Sequence, residues 1–175
     1  MHTEDYEGVH NRAIEELNAM LSVHSFSARQ STELRDCAIH QWTLDLGFVK
    51  HLVHLTHSIP LVASFSIAFV IECPLEANPD PRLIGLPVEA ILSRPPEGFW
   101  PTLMARPEGW RIGNYIARRI RNAEQALVWF QQFCTPQGCI DFINREMLPR
   151  AGGIERTRKR LEPFLKYLNS LPQNE

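Results

Sequence analysis

All seven histidines of the chain, at positions 2, 10, 24, 40, 51, 54 and 57, precede residue 58. Imidazole is the side chain that ordinarily titrates near neutral pH, so any histidine chemistry must be built in the first third of the sequence. His51, His54 and His57 recur every third residue, which on a helix would bring neighbours close enough to share a metal. On a strand the same spacing sends His54 to the opposite face and holds His51 and His57 about 20 Å apart, so no metal site is expected. His40 and His51 are the stronger pair. A two-residue turn at Leu46-Gly47 would set them diagonally on the apolar face of a hairpin, able to line a pocket and move protons. They are the candidate catalytic residues, and hydrogen-bonded core histidines are the bland alternative.

The remaining nucleophiles are less promising. Ser64 and Ser66 fall on the polar side of a strand with no base assigned, and a Cys139-histidine dyad would need the C-terminal helices to carry a buried thiol to the histidine strands. Cys37, Cys73, Cys134 and Cys139 include no C-x-x-C pair, and Cys134-x4-Cys139 has no second pair to complete a zinc set. The sequence contains no G-x-G-x-x-G, P-loop, G-x-S-x-G or H-E-x-x-H pattern, so it gives no cofactor signature and points away from an enzyme. Two basic groups, Arg118, Arg119, Arg121 and Arg156, Arg158, Lys159, Arg160, sit on expected helices. With a net charge of -2 and a pI near 6.4, solvated helix faces explain them better than a nucleic-acid surface.

Three segments must position the histidines: Cys37 to Leu44, Val49 to His57 and Leu61 to Glu72. In the last, Phe65, Ile67, Phe69 and Ile71 alternate with Ser64, Ser66, Ala68, Val70 and Glu72, the two-residue period of a half-buried strand. Pairing the three as an antiparallel meander places Ala38, Trp42, Leu44, Val49, Val53, Leu55, Leu61, Phe65, Ile67 and Phe69 on one face. Gln41, Thr43, Lys50, His54 and Thr56 take the other. A slip of one residue would turn a strand inside out, so this agreement supports the pairing.

Helices should cover the apolar face. Val9, Ala13, Leu17 and Met20, widened by Ile14 and Leu21, mark an amphipathic helix over residues 4 to 24, followed by a polar, turn-like stretch from Ser25 to Thr32. Ile112, Ile116, Ile120, Ala123, Leu127, Phe130 and Cys134 mark a second helix, with a possible break at Asn122. Thr135-Pro136 restarts the chain in a helix that buries Cys139, Phe142, Ile143 and Met147. Ile154 to Leu171 forms the last, kinked or restarted at Pro163.

Between sheet and helices lies Pro74 to Gly109, which holds 8 of the 13 prolines. Extended sheet is not expected there, because proline removes amide donors, and only Val88 to Ser93 looks briefly helical. Phe99, Trp100 and Trp110 give this excursion a large aromatic area, and a connection of this length suits a binding surface or subunit arm.

The expected fold is therefore α+β: a small antiparallel meander of three or slightly more strands with four to five helices on one face. Residues 1 to 175 are read as one domain with an excursion at 74 to 109. Charge is uneven, -7 over residues 1 to 104 and +5 over residues 105 to 175, which suits attraction between the two halves or between two copies. The acidic start lacks a secretory apolar run, and the longest such run, Leu61 to Ile71, is too short to span a bilayer as a helix. A cytoplasmic protein with reduced thiols is expected. The functional expectation is a non-catalytic interaction or regulatory module binding a protein partner, or itself, through Phe99, Trp100 and Trp110. The alternative is a small-molecule-binding protein or enzyme with a pocket near His40 and His51.

Overall fold

A computed structural model of the chain describes residues 3–58, 65–74, 82–92, 109–150 and 155–172. Its centre is a five-stranded antiparallel sheet in sequence order: β1 (Gln30–Glu33), β2 (Cys37–Asp45), β3 (Lys50–Ser58), β4 (Phe65–Cys73) and β5 (Arg82–Pro87). The helices are α1 (Thr3–Val23), the single turn α2 (Val88–Ile91), α3 (Gly109–Phe130), α4 (Pro136–Phe142), α5 (Leu148–Arg150) and α6 (Glu155–Ser170). A 3-10 turn, Gln131–Phe133, follows α3, and a π turn, Ile143–Met147, joins α4 to α5. The class is α+β. No helix among the described residues is long and apolar enough to cross a membrane.

The meander forms because three alternating sequences agree on one face. Trp42 lies opposite Val53, and Val53 opposite Phe69; the flanking rows are His40-Leu55-Ile67 and Ala38-His57-Phe65. Trp42 and Phe65 thus share a side, and His51 is in a strand, as the alternation requires. The register differs from the expected one by an even number of residues in both hairpins, which preserves every facing. In the first, the two turn residues are Gly47 and Phe48, not Leu46 and Gly47, and the Leu46 amide donates to the Val49 carbonyl at 3.0 Å. Gly47 has φ +81°, and the Asp45 side chain accepts its amide at 2.8 Å. Glycine at the first central position is what a type II′ hairpin turn demands.

Two strands depart from expectation. Gln30–Glu33 is a fully exposed edge strand laid along β2, although its polar residues read as a turn. Arg82–Pro87 lies within the proline-rich excursion, yet it pairs with β4 from Cys73–Arg82 to Ala68–Pro87. Pro87 is its last residue, and as an edge strand β5 tolerates a missing donor there.

Side chains of α1 and α3 meet the same sheet face. On α1, Ala13, Leu17 and Leu21 are fully buried, and Asn18 accepts the Trp42 indole N–H at 3.0 Å. On α3, Phe130 packs on Phe69 with ring centroids 5.1 Å apart, and Tyr115 meets Phe65 edge-on. The helix runs unbroken through Asn122. Thr135 then caps α4, its hydroxyl accepting the Gly138 amide at 3.0 Å with Pro136 in the first turn. Helix α6 continues through Pro163 and buries Leu161, Phe164 and Leu168 in the same hydrophobic cluster as the sheet. Its Tyr167 hydroxyl donates to the Phe48 carbonyl at 2.7 Å, tying α6 to the β2–β3 turn.

The opposite sheet face is not uniformly polar. Leu52 and Val70 pair across β3 and β4 on that side, and both are buried. Gly85 of β5 completes the row, and a Cβ there would lie 2.7 Å from Val70 Cγ2. The close approach accounts for glycine in the strand interior.

Candidate functional site

The histidines expected to act as a pair are separated. His40 faces Leu55, whereas His51 faces Leu44; four residues of strand, about 13 Å, lie between them. The expected diagonal contact assumed a turn one residue earlier. His40 and His51 do not adjoin, and each belongs to a different group of side chains.

His40 belongs to a seam of imidazoles at the β1 edge. Its Nε2 lies 3.1 Å from His57 Nε2, and its Nδ1 lies 3.0 Å from Ser31 Oγ. His10 of α1 stacks on His57 with ring centroids 4.1 Å apart and planes inclined by 19°. The three rings arrive from three elements for simple reasons. His40 and His57 have the parity of the apolar face on β2 and β3, and His10 lies on the buried stripe of α1 four residues before Ile14. His57 shares parity with His51, and His10 sits beside Val9, so both were signalled by the same periodicities that defined the core.

Burial holds His40 down to about 4, helped by the positive Arg29 and by the neighbouring imidazoles of His57 and His10. His40 is therefore neutral near pH 7. A hydrogen bond between two Nε2 atoms requires a proton on one and a lone pair on the other. If the Ser31 hydroxyl donates to Nδ1, His40 donates from Nε2 to His57, and His57 carries its own proton on Nδ1. That Nδ1 is buried and has no hydrogen-bond partner among the described residues. The chain Ser31-His40-His57 has the connectivity of a nucleophile, base and orienting group. So acidic an imidazolium, however, makes its neutral form a weak base for a hydroxyl proton.

His51 lies at the other end of the sheet, under α3. Its ring packs on Phe130 with centroids 4.3 Å apart, and Cys134 Sγ approaches its Nδ1 at 3.9 Å. Burial lowers His51 to about 4, partly opposed by a hydrogen bond with the Phe133 backbone. The Cys134 thiol is pushed up by burial. Formation of a thiolate-imidazolium pair needs the opposite shifts, so Cys134 and His51 meet as neutral groups. Cys139, the cysteine weighed as a partner for histidine, instead donates its thiol to the Phe133 carbonyl at 3.1 Å and is pushed up to about 12 by burial. Cys73 is likewise raised to about 12 by burial.

His54 faces the other side of the sheet, where it bonds Gln41 at 3.0 Å, so the three-residue spacing of His51, His54 and His57 does not converge. Among the described residues no group of three or more His, Cys, Asp or Glu side chains is placed to hold a metal ion.

The basic groups divide as well. Arg119 is buried, and its guanidinium donates to the Phe65 carbonyl at 2.8 Å while lying 5.5 Å over that residue's ring. Arg118 and Arg121 are exposed, and Lys159 pairs with Glu155 at 2.9 Å; Arg156, Arg158 and Arg160 lie outside the described side chains. A pocket of about 110 Å³ at the β2–β3 turn is lined by Asp45, Gly47, Phe48, Val49, Lys50, Glu72 and Pro74. It is small beside the several hundred Å³ of ordinary ligand sites, and it touches neither His40 nor His51. Phe99 and Trp100 lie outside the described residues, and Trp110 is described only as backbone in the first turn of α3.

No protein-family model, no curated protein and no solved structure matches this chain.

Proposed function

We propose that the chain is a non-catalytic interaction module that binds a protein partner, or a second copy of itself, through the segment around Phe99 and Trp100. The observation that carries this reading is the way both ends of that segment are fastened. On the entry side β5 is laddered to β4, and Leu86 and Val88 are buried in the main hydrophobic cluster. On the exit side α3 begins at Gly109 and packs against both α1 and α2. Sixteen residues, 93 to 108, connect these anchors and include Phe99, Trp100 and 4 prolines. Fixing the ends of a connection lowers the ordering cost of using it as a recognition surface. The protonation states agree with a non-catalytic reading, because His40 and His51 are held neutral and the thiols of Cys73 and Cys139 keep their protons. All four cysteines are unbonded, which suits a reducing cytoplasm.

The test is native mass measurement of protein isolated from its own source, with the double variant Phe99→Ala/Trp100→Ala in parallel. A dimer or defined complex for the natural chain, lost in a variant of unchanged melting temperature, is the expected outcome. A natural chain that is monomeric and alone, or a variant that retains the complex, would overturn the reading.

A further inference from the structure

We propose that His10, His40 and His57 form an acid-sensitive latch that holds α1 on the sheet and loosens when the imidazoles take up protons. Three titratable rings meet here in direct contact. His10 stacks on His57, and His57 shares a hydrogen-bonding proton with His40. The arrangement works while the rings are neutral, because each then offers an apolar face and one donor. A proton on any one of them repels a proton on the other two, and a second proton between the facing Nε2 atoms replaces their hydrogen bond with two opposed N–H groups.

Around His40 and His57 the described neighbours are like-charged, neutral or solvent-exposed. From the loop before β1, Arg29 acts on His40 with like charge. From β1, Ser31 contributes a neutral hydroxyl, and Glu33, on the same strand face opposite Ala38 in the row of His57, is exposed, so solvent screens its carboxylate. From α3, Arg119 is bonded to the Phe65 carbonyl, and Tyr115 packs on Phe65, whose row includes His57.

The repulsion is relieved most readily by moving α1. His40 and His57 belong to strands joined by nine paired positions, and β3 is joined to β4 by eight more. His10 belongs to a helix that the described contacts attach to the sheet through side chains, not through a backbone ladder. Charging the seam therefore sets side-chain packing against strand pairing, and packing around His10 should yield first.

Amide exchange, corrected for the intrinsic effect of pH, tests this in the full chain. Between about pH 7.5 and pH 5, protection from Val9 to Leu21 should fall at least about tenfold more than protection in β3 and β4, and His10→Phe should abolish that difference. Equal losses in α1 and the sheet, or an undiminished difference in His10→Phe, would overturn the proposal. If His10→Phe does not fold, titration of the natural chain decides. Loss of α1 protection that sets in below about pH 6.5 together with movement of the seam's ring resonances supports the latch, and loss of α1 protection with the ring resonances unmoved overturns it.

Discussion

The Nε2 atoms of His40 and His57 stand 3.1 Å apart, close enough that a proton must lie between them. This seam and the burial of His51 both make stability depend on pH. His40 and His51 are both lowered from 6.5 to about 4, chiefly by burial. A histidine with a depressed folded-state pKa contributes its full stability above the unfolded value of 6.5 and loses it as pH falls toward 4. From pH 6.5 to about pH 5 each such group withdraws at most about 2 kcal/mol. Urea unfolding at several pH values should show a steep loss below pH 6.5 with a nearly constant m value. Equal stability at about pH 7.5 and pH 5 would mean that neither ring is desolvated as its position implies.

His51→Leu separates the two sources of that loss. His51 is buried against Phe130, and its Nε2 has no hydrogen-bond partner among the described residues. Replacing it by an apolar side chain forfeits the Phe133 bond but removes a group that must be desolvated, so the change near pH 7.5 should stay within about 1.5 kcal/mol. By about pH 5 the balance should move roughly 2 kcal/mol in the variant's favour, because the natural chain alone resists protonation there. Parallel stability curves for the two proteins would refute the assignment.

The meander was legible because errors of an even number of residues leave its faces unchanged. Alternation from Phe65 to Ile71 and from Trp42 to Leu44 determined which side is buried, and a turn misplaced by one residue at Gly47 moved the register without inverting a strand. The histidine site was not legible for the same reason. A shift of two positions is invisible to burial yet carries His51 away from His40 and brings His57 in. Strand β1 escaped notice because Gln30 to Glu33 has no apolar face and is held by the β2 ladder. Strand β5 was hidden by surrounding prolines, although Arg82 to Leu86 contains none.

Thiol chemistry gives a separate test of the core. Cys73 and Cys139 are 1% and 0% exposed and are pushed up to about 12 by burial. Cys37 and Cys134 are partly exposed. A disulfide reagent at about pH 8 should therefore label no more than two cysteines promptly, with the other two reacting only at the rate of unfolding or after denaturation. Prompt labelling of all four in the folded chain would place solvent where α4 and β4 are packed.

Gly85→Ala probes the second, smaller apolar row on the opposite side of the sheet. The new Cβ would meet Val70 Cγ2 at 2.7 Å and the Phe69 carbonyl oxygen at 3.0 Å. One contact is a branched side chain and the other is backbone, so relaxation is limited and a loss of about 1–3 kcal/mol is expected. Val70→Ala is destabilising on its own because Val70 is only 6% exposed. In the double variant the shortened side chain makes room for the Cβ, while the Phe69 carbonyl still crowds it. The two losses should consequently add to less than their sum, with a coupling of at least about 0.5 kcal/mol measured by urea unfolding of all four proteins. Simple additivity would show that β5 does not lie against Val70 in this register.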